Sequence, residues 1–130
     1  MLRHNSVLVN ALGIRDSGGV VVLTKALNDF SKCKKYKYII VCHFNDNVFH
    51  LKIENEMHAH LEFIFIKNNS FLYRLYYENF KFINIIDRGK VILVYNFSGS
   101  VQFSHKVPQL IKIHNLLFFS LALNKFYLEN

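Results

Sequence analysis

Long apolar runs are missing from this chain: none reaches the ~18–20 residues that a membrane-crossing helix needs. No secretory signal is expected either, because Met1-Leu2-Arg3-His4-Asn5 leads directly into a strand-like segment. Cysteine is scarce. Cys33 and Cys42 are the only two, their spacing matches no zinc or redox motif, and such sparing use fits a reducing compartment. The expected location is therefore cytoplasmic, with any membrane contact peripheral and on the inner face. Acidic residues are also few, with 9 Asp and Glu against 16 Lys and Arg, for a net charge of +7. That imbalance favours anionic partners. The basic residues are scattered, however, and the one dense run, Lys32-Cys33-Lys34-Lys35-Tyr36-Lys37, follows a helical segment whose C-terminal dipole end cations suit. No RNP-type motif accompanies the charge, which argues against nucleic acid.

Several catalytic signatures are absent as well. No lysine-hydroxyl pair follows the glycines in the P-loop pattern, no G-x-G-x-x-G dinucleotide fingerprint occurs, and no G-x-S-x-G elbow makes Ser98 a nucleophile. His58-Ala59-His60 has no third ligand in view, so no metal is expected, and no cofactor is called for. Tryptophan is absent and proline occurs once, at Pro108.

What is present is a globular composition: 130 residues, 52% hydrophobic and 19% charged, enough for one domain with a real core and inconsistent with a disordered chain. The apolar surplus in so small a domain suggests that part of it covers a partner or a further domain. Its most informative segment is the glycine turn Gly13-Ile14-Arg15-Asp16-Ser17-Gly18-Gly19. Val7-Leu8-Val9 before it reads as a buried strand, and Val20, Leu23, Leu27 and Phe30 after it recur at helical spacing. A strand, a glycine turn and a helix in that order aim backbone N–H groups and a positive helix end at phosphate or sugar oxygens.

Further strands are expected over Tyr38 to Cys42, Leu61 to Ile66, Val91 to Tyr95 and Gln109 to Ile113. Val48 to Ile53 reads as a short strand or irregular arm. Ser70 is a suitable N-cap for a helix running towards Gly89, and Leu116 to Leu128 reads as helical. Near-continuous apolar strands alternating with helices argue for an α/β, Rossmann-like parallel sheet flanked by helices, with residues 1–130 as a single domain. In such sheets ligands bind beyond the carboxyl ends of the strands. The glycine turn, Cys42-His43, the loop from Asn96 to Ser100 and His114-Asn115 all fall at that rim. The aromatic residues Phe71, Tyr73, Tyr76, Tyr77, Phe80 and Phe82 recur at helical spacing and read as core packing with a wet tyrosine edge.

These residues resemble a known family. Asn10-Ala11-Leu12 leading to Gly18-Gly19-Val20-Val21-Val22-Leu23, the strand Lys90-Val91-Ile92-Leu93-Val94-Tyr95, and Pro108-Gln109-Leu110-Ile111-Lys112-Ile113-His114-Asn115-Leu116 are similar, in order, to the N-terminal domain of retaining GT-B glycosyltransferases of the family-4 class. The resemblance implies one half of a GT-B fold, the acceptor-side domain of an enzyme that moves a sugar from a nucleotide-sugar donor to a saccharide or lipid-linked acceptor. It implies that Gly18 and Gly19 lie by the donor phosphates or the acceptor, and that His114 approaches the donor sugar. Asn115, Asn96 and Ser98 are further candidates from their place at the rim. The paired glutamates of the family's C-terminal domain have no counterpart in the 130 residues, and Val91-Ile92-Leu93 is apolar where many relatives carry an acid. The expectation is thus a truncated or split enzyme, inactive alone, that needs a separately encoded C-terminal domain.

Blander readings stand beside these. Gly18-Gly19 can simply permit a tight turn, and His114 can be a histidine bonded to backbone. The alternative for the whole chain is a non-catalytic basic α/β module that binds nucleic acid or an acidic membrane surface.

Overall fold

A computed structural model describes residues 5–14, 17–68, 70–97 and 102–111. Five parallel strands form one sheet in the order β3-β2-β1-β4-β5: β1 is Ser6–Ala11, β2 Lys37–His43, β3 Leu61–Ile66, β4 Val91–Asn96 and β5 Gln109–Ile111. The helices are α1 (Ser17–Lys32), α2 (Asp46–Glu54), α3 (Phe71–Tyr76) and α4 (Phe82–Gly89), and a π-turn, Tyr77–Lys81, joins the last two. This is an α/β, Rossmann-like fold, as the apolar strands predict.

Strand β1 is buried along its whole length because it lies between β2 and β4 with helices on both faces. Its side chains alternate. Val7, Val9 and Ala11 join the cluster under α1 and α2, while Leu8 and Leu12 join the cluster under α3 and α4. Completely buried leucines such as Leu8, Leu23 and Leu27 each contribute roughly 2 kcal/mol relative to exposure. Edge strand β3 shows the outward half of the alternation at Glu62, which pairs with Lys37 at 3.0 Å on the surface.

Two segments differ from the sequence expectation. Val48 to Ile53 is helical, not strand-like. Asn45 caps α2 by accepting from the Val48 N–H at 2.9 Å, and Val48 and Leu51 turn one helical face inward, which overrides the β-branched content of the segment. The helix after the glycine turn begins at Ser17, so Gly18 and Gly19 lie inside its first turn and not ahead of it.

The helical rod from Phe71 to Gly89 carries the π-turn for a reason visible in its phase. Ser70 caps it as expected, accepting from Tyr73 N–H at 3.1 Å. Counting about 3.6 residues per turn from Arg74, the sheet-facing positions fall near 78 and 81. The π-turn adds one residue, so Phe82 takes the inward place that Lys81 would otherwise occupy, and Ile85 follows it. Tyr73, Tyr77 and Phe82 therefore pack inward, as expected of the aromatic group. Phe71 and Phe80 do not: they are exposed, and their reading as core is corrected, whereas exposed Tyr76 forms the wet tyrosine edge.

Candidate functional site

Chain connections set the position of the site. The segments from β1 to β2 and from β2 to β3 carry α1 and α2 over one face, whereas α3 and α4 lie on the other before the chain enters β4 beside β1. Strand order reverses between β1 and β4, and a crevice at such a reversal, beyond the carboxyl ends, is where open α/β sheets hold ligands.

Two asparagines stand side by side there. Asn10 and Asn96 are register partners at the ends of β1 and β4, both completely buried. Asn10 donates from Nδ2 to Asn96 Oδ1 at 2.9 Å and accepts from Leu12 N–H at 3.2 Å. Asn96 in turn donates to Gln109 Oε1 at 2.9 Å and accepts from Gln102 Nε2 at 3.0 Å. Gln102 also donates to Glu78 Oε2 at 3.1 Å, and Arg74 donates from Nε to Glu78 Oε1 at 2.7 Å. Gln109 closes the chain by accepting from Gln102 N–H at 3.0 Å and donating to its carbonyl at 2.7 Å. A polar seam thus runs from the helical rod to the carboxyl ends of β1 and β4 and to the first residue of β5.

The seam ends at the β1–α1 loop. Gly13 has a φ of +92°, and a Cβ there would lie 2.7 Å from Arg74 Nη1. Only glycine lets the loop pass over the guanidinium in that conformation. Among the seam's atoms the Gln102 Oε1, although buried, has no hydrogen-bond partner. Both carboxylate oxygens of Glu78 are engaged, so it is held as a structural anion and not presented to a substrate. His43, at the end of β2, is buried on the same rim. Neighbouring Cys42 is a protected thiol, with burial pushing its pKa up to about 12.

Of the residues nominated from sequence, Gly18 and Gly19 are in the first turn of α1, with Gly18 exposed. Asn96 belongs to β4 and the seam, not to a loop. Ser98, His114 and Asn115 lie outside the described residues, as do Arg15, Asp16 and the segment Leu116 to Leu128. The sequence reading missed Arg74, Glu78 and Gln102 as members of this rim. The available signal was one asparagine in each of two otherwise apolar strands, Val9-Asn10-Ala11 and Tyr95-Asn96-Phe97.

Elsewhere, His60 Nε2 meets the Phe30 carbonyl at 2.9 Å, and among the described residues no group of three or more His, Cys, Asp or Glu is arranged to hold a metal. A polar groove of about 410 Å³, lined by residues that include Thr24, Asn28, Glu54 and His58, lies between α1 and α2, away from the strand-order reversal. Among the described residues no helix is long and apolar enough to cross a membrane. The chain matches no protein-family model, no curated protein and no solved structure.

Proposed function

We propose that this chain is the N-terminal, acceptor-side domain of a retaining GT-B glycosyltransferase of the family-4 type. The reaction is transfer of a sugar from a nucleotide-sugar donor to a saccharide or lipid-linked acceptor. The observation that carries this reading is the passage from β1 into the Gly18-Gly19 turn of α1, directly beside the strand-order reversal. The first turn of a helix offers N–H donors without intrahelical acceptors and a positive dipole end, both suited to sugar hydroxyls and phosphate oxygens. In this reading Gly18 and Gly19 admit the ligand close to backbone, and His114 supplies a hydrogen bond to the donor sugar. Asn96 holds the end of β4 in place, and Ser98 and Asn115 shape the rim.

Turnover requires a second domain that grips the nucleotide, because positioning two substrates supplies most of the rate and half of that positioning lies outside these residues. The test is an NMR titration of the isotopically labelled chain with saccharides and with nucleotide sugars such as UDP-glucose. Weak binding, with Kd on the order of 1 mM, is expected to shift the amide signals of Gly13, Gly18 and Gly19. Gly18→Trp, at an exposed position, should abolish those shifts while the melting temperature stays within a few degrees. Shifts confined to residues away from the rim, or none with either ligand class, would sink the proposal.

A further inference from the structure

The helical rod turns a second face to solvent, and this face has a chemistry of its own. Phe71 and Leu72 are 67% and 77% exposed, Phe80 is 61% exposed, and Leu75 and Tyr76 between them are exposed as well. Tyr76 lies 5.4 Å from Phe80, ring centre to ring centre, so these two rings adjoin on the exposed face. Positions 72, 76 and 80 recur every fourth residue along one side of the rod, with 71 and 75 beside them. The sheet does not need them, since Tyr73, Tyr77, Phe82, Ile85 and Ile86 already cover it from this side.

Charge around the ridge has one sign. From Lys67 to Phe82 the sequence holds Lys67, Arg74 and Lys81 as cations and Glu78 as its single acid. That acid is 1% exposed and bonded to Arg74 and Gln102, so it presents no negative charge outward. Lys67 and Lys81 are exposed at the two ends of the ridge. Between Lys67 and Phe82 the chain therefore shows aromatic and aliphatic side chains bordered by lysines, with the only carboxylate of that stretch withdrawn into the interior; exposed Asp87 lies beyond it, next to Arg88. This is the arrangement by which an interfacial helix lies in a bilayer surface, its rings at headgroup depth and its ammonium groups on lipid phosphates. The chain's net charge of +7 acts in the same direction.

We propose that Phe71, Leu72, Leu75, Tyr76 and Phe80 form a docking ridge for anionic phospholipid bilayers, with Lys67 and Lys81 contacting the headgroups. This inference is independent of the sugar-transfer reading, because it concerns the side of the rod turned away from the sheet and its rim.

Co-sedimentation of the full chain with vesicles tests it. Binding is expected to vesicles of phosphatidylcholine mixed with phosphatidylglycerol, to weaken with added salt, and to be much lower on phosphatidylcholine alone. Phe71→Ser with Phe80→Ser should reduce the affinity at least about tenfold, and Lys67→Ala with Lys81→Ala about fivefold per lysine, with melting temperatures unchanged. Equal binding to both vesicle types, or full binding by the serine variant, would overturn the proposal. So would a marked fall in melting temperature of the serine variant, which would show the ridge packed within the chain. A parent chain that dimerises, ignores vesicles and becomes monomeric on serine substitution would assign the ridge to a second copy instead.

Discussion

Replacing Glu78 by alanine tests whether the polar seam holds the rim together. The carboxylate accepts two hydrogen bonds, from Arg74 Nε at 2.7 Å and from Gln102 Nε2 at 3.1 Å. Bonds to a charged group contribute about 1.5–3 kcal/mol each. The Arg74 side chain keeps 17% of its surface in water, which returns part of its solvation once the partner is gone. The lower half of the range then applies, and Glu78→Ala should destabilise the fold by about 3 kcal/mol. For a chain of this length that corresponds to a fall in Tm of roughly 10 °C.

Thermal and urea unfolding followed by circular dichroism measure the effect. Glu78→Gln keeps an acceptor for Arg74 while removing the charge, and should lose about half as much. A double-mutant cycle with Arg74→Ala isolates the pair, and its coupling should reach at least about 1 kcal/mol because the two side chains are in direct contact. A Glu78→Ala protein that melts within about 2 °C of the parent, or a coupling near zero, would refute the idea that this pair anchors the rim.

Gly13→Ala should cost about 2 kcal/mol, from the positive φ and from the Cβ placed 2.7 Å from Arg74 Nη1, and less in an Arg74→Ala background, as urea unfolding would show. Alkali should also destabilise the chain. Burial pushes the Cys42 thiol from 9.0 up to about 12, and burial together with contacts from Cys33 and Tyr36 pushes the Tyr38 phenol from 10.0 up to about 12. Both raised groups stay protonated in the fold while the unfolded chain releases its protons, so their contribution is complete below about pH 9 and is lost as pH rises towards 12. The expected slope is about −1.4 kcal/mol per pH unit for each proton. Cys42→Ala should remove the part of that slope which begins near pH 9, and an unchanged slope would refute the assignment.

Sheet positions were legible because strands buried on both faces must be largely apolar, and Val7 to Val9 and Tyr38 to Cys42 show this plainly. Helix α2 was not legible from its apolar content, since Val48, Phe49 and Ile53 favour a strand as much as a helix. Its start was written in Asn45, whose side chain satisfies an N–H that only a helix leaves open. The π-turn was harder to see. An inserted residue leaves composition and spacing almost unchanged, and it shows only as a change of phase between Arg74 and Phe82. That change is why Phe82 turns inward while Phe80 and Lys81 stay outside.

Asn96 marks the point at which sequence reading and geometry assign different work to the same residue. A polar residue in a strand at the rim looks like a ligand contact. A completely buried amide, however, destabilises the fold unless it is bonded, and this one is: its oxygen accepts from both Asn10 and Gln102, and its nitrogen donates to Gln109. Turning it towards a ligand would break bonds that tie the ends of β1, β4 and the residues before β5 together. Its role at the rim is therefore to position backbone, and the same reasoning extends to Asn10, whose side chain also receives the Leu12 N–H and so fixes the start of the β1–α1 loop. Under the proposed sugar-transfer reading, direct contact with a ligand then falls to the exposed backbone at Gly18, at the start of α1. Rigidity beneath and an open backbone above are what a weakly held, hydroxyl-rich ligand requires, since little of its binding energy can be spent on ordering the protein.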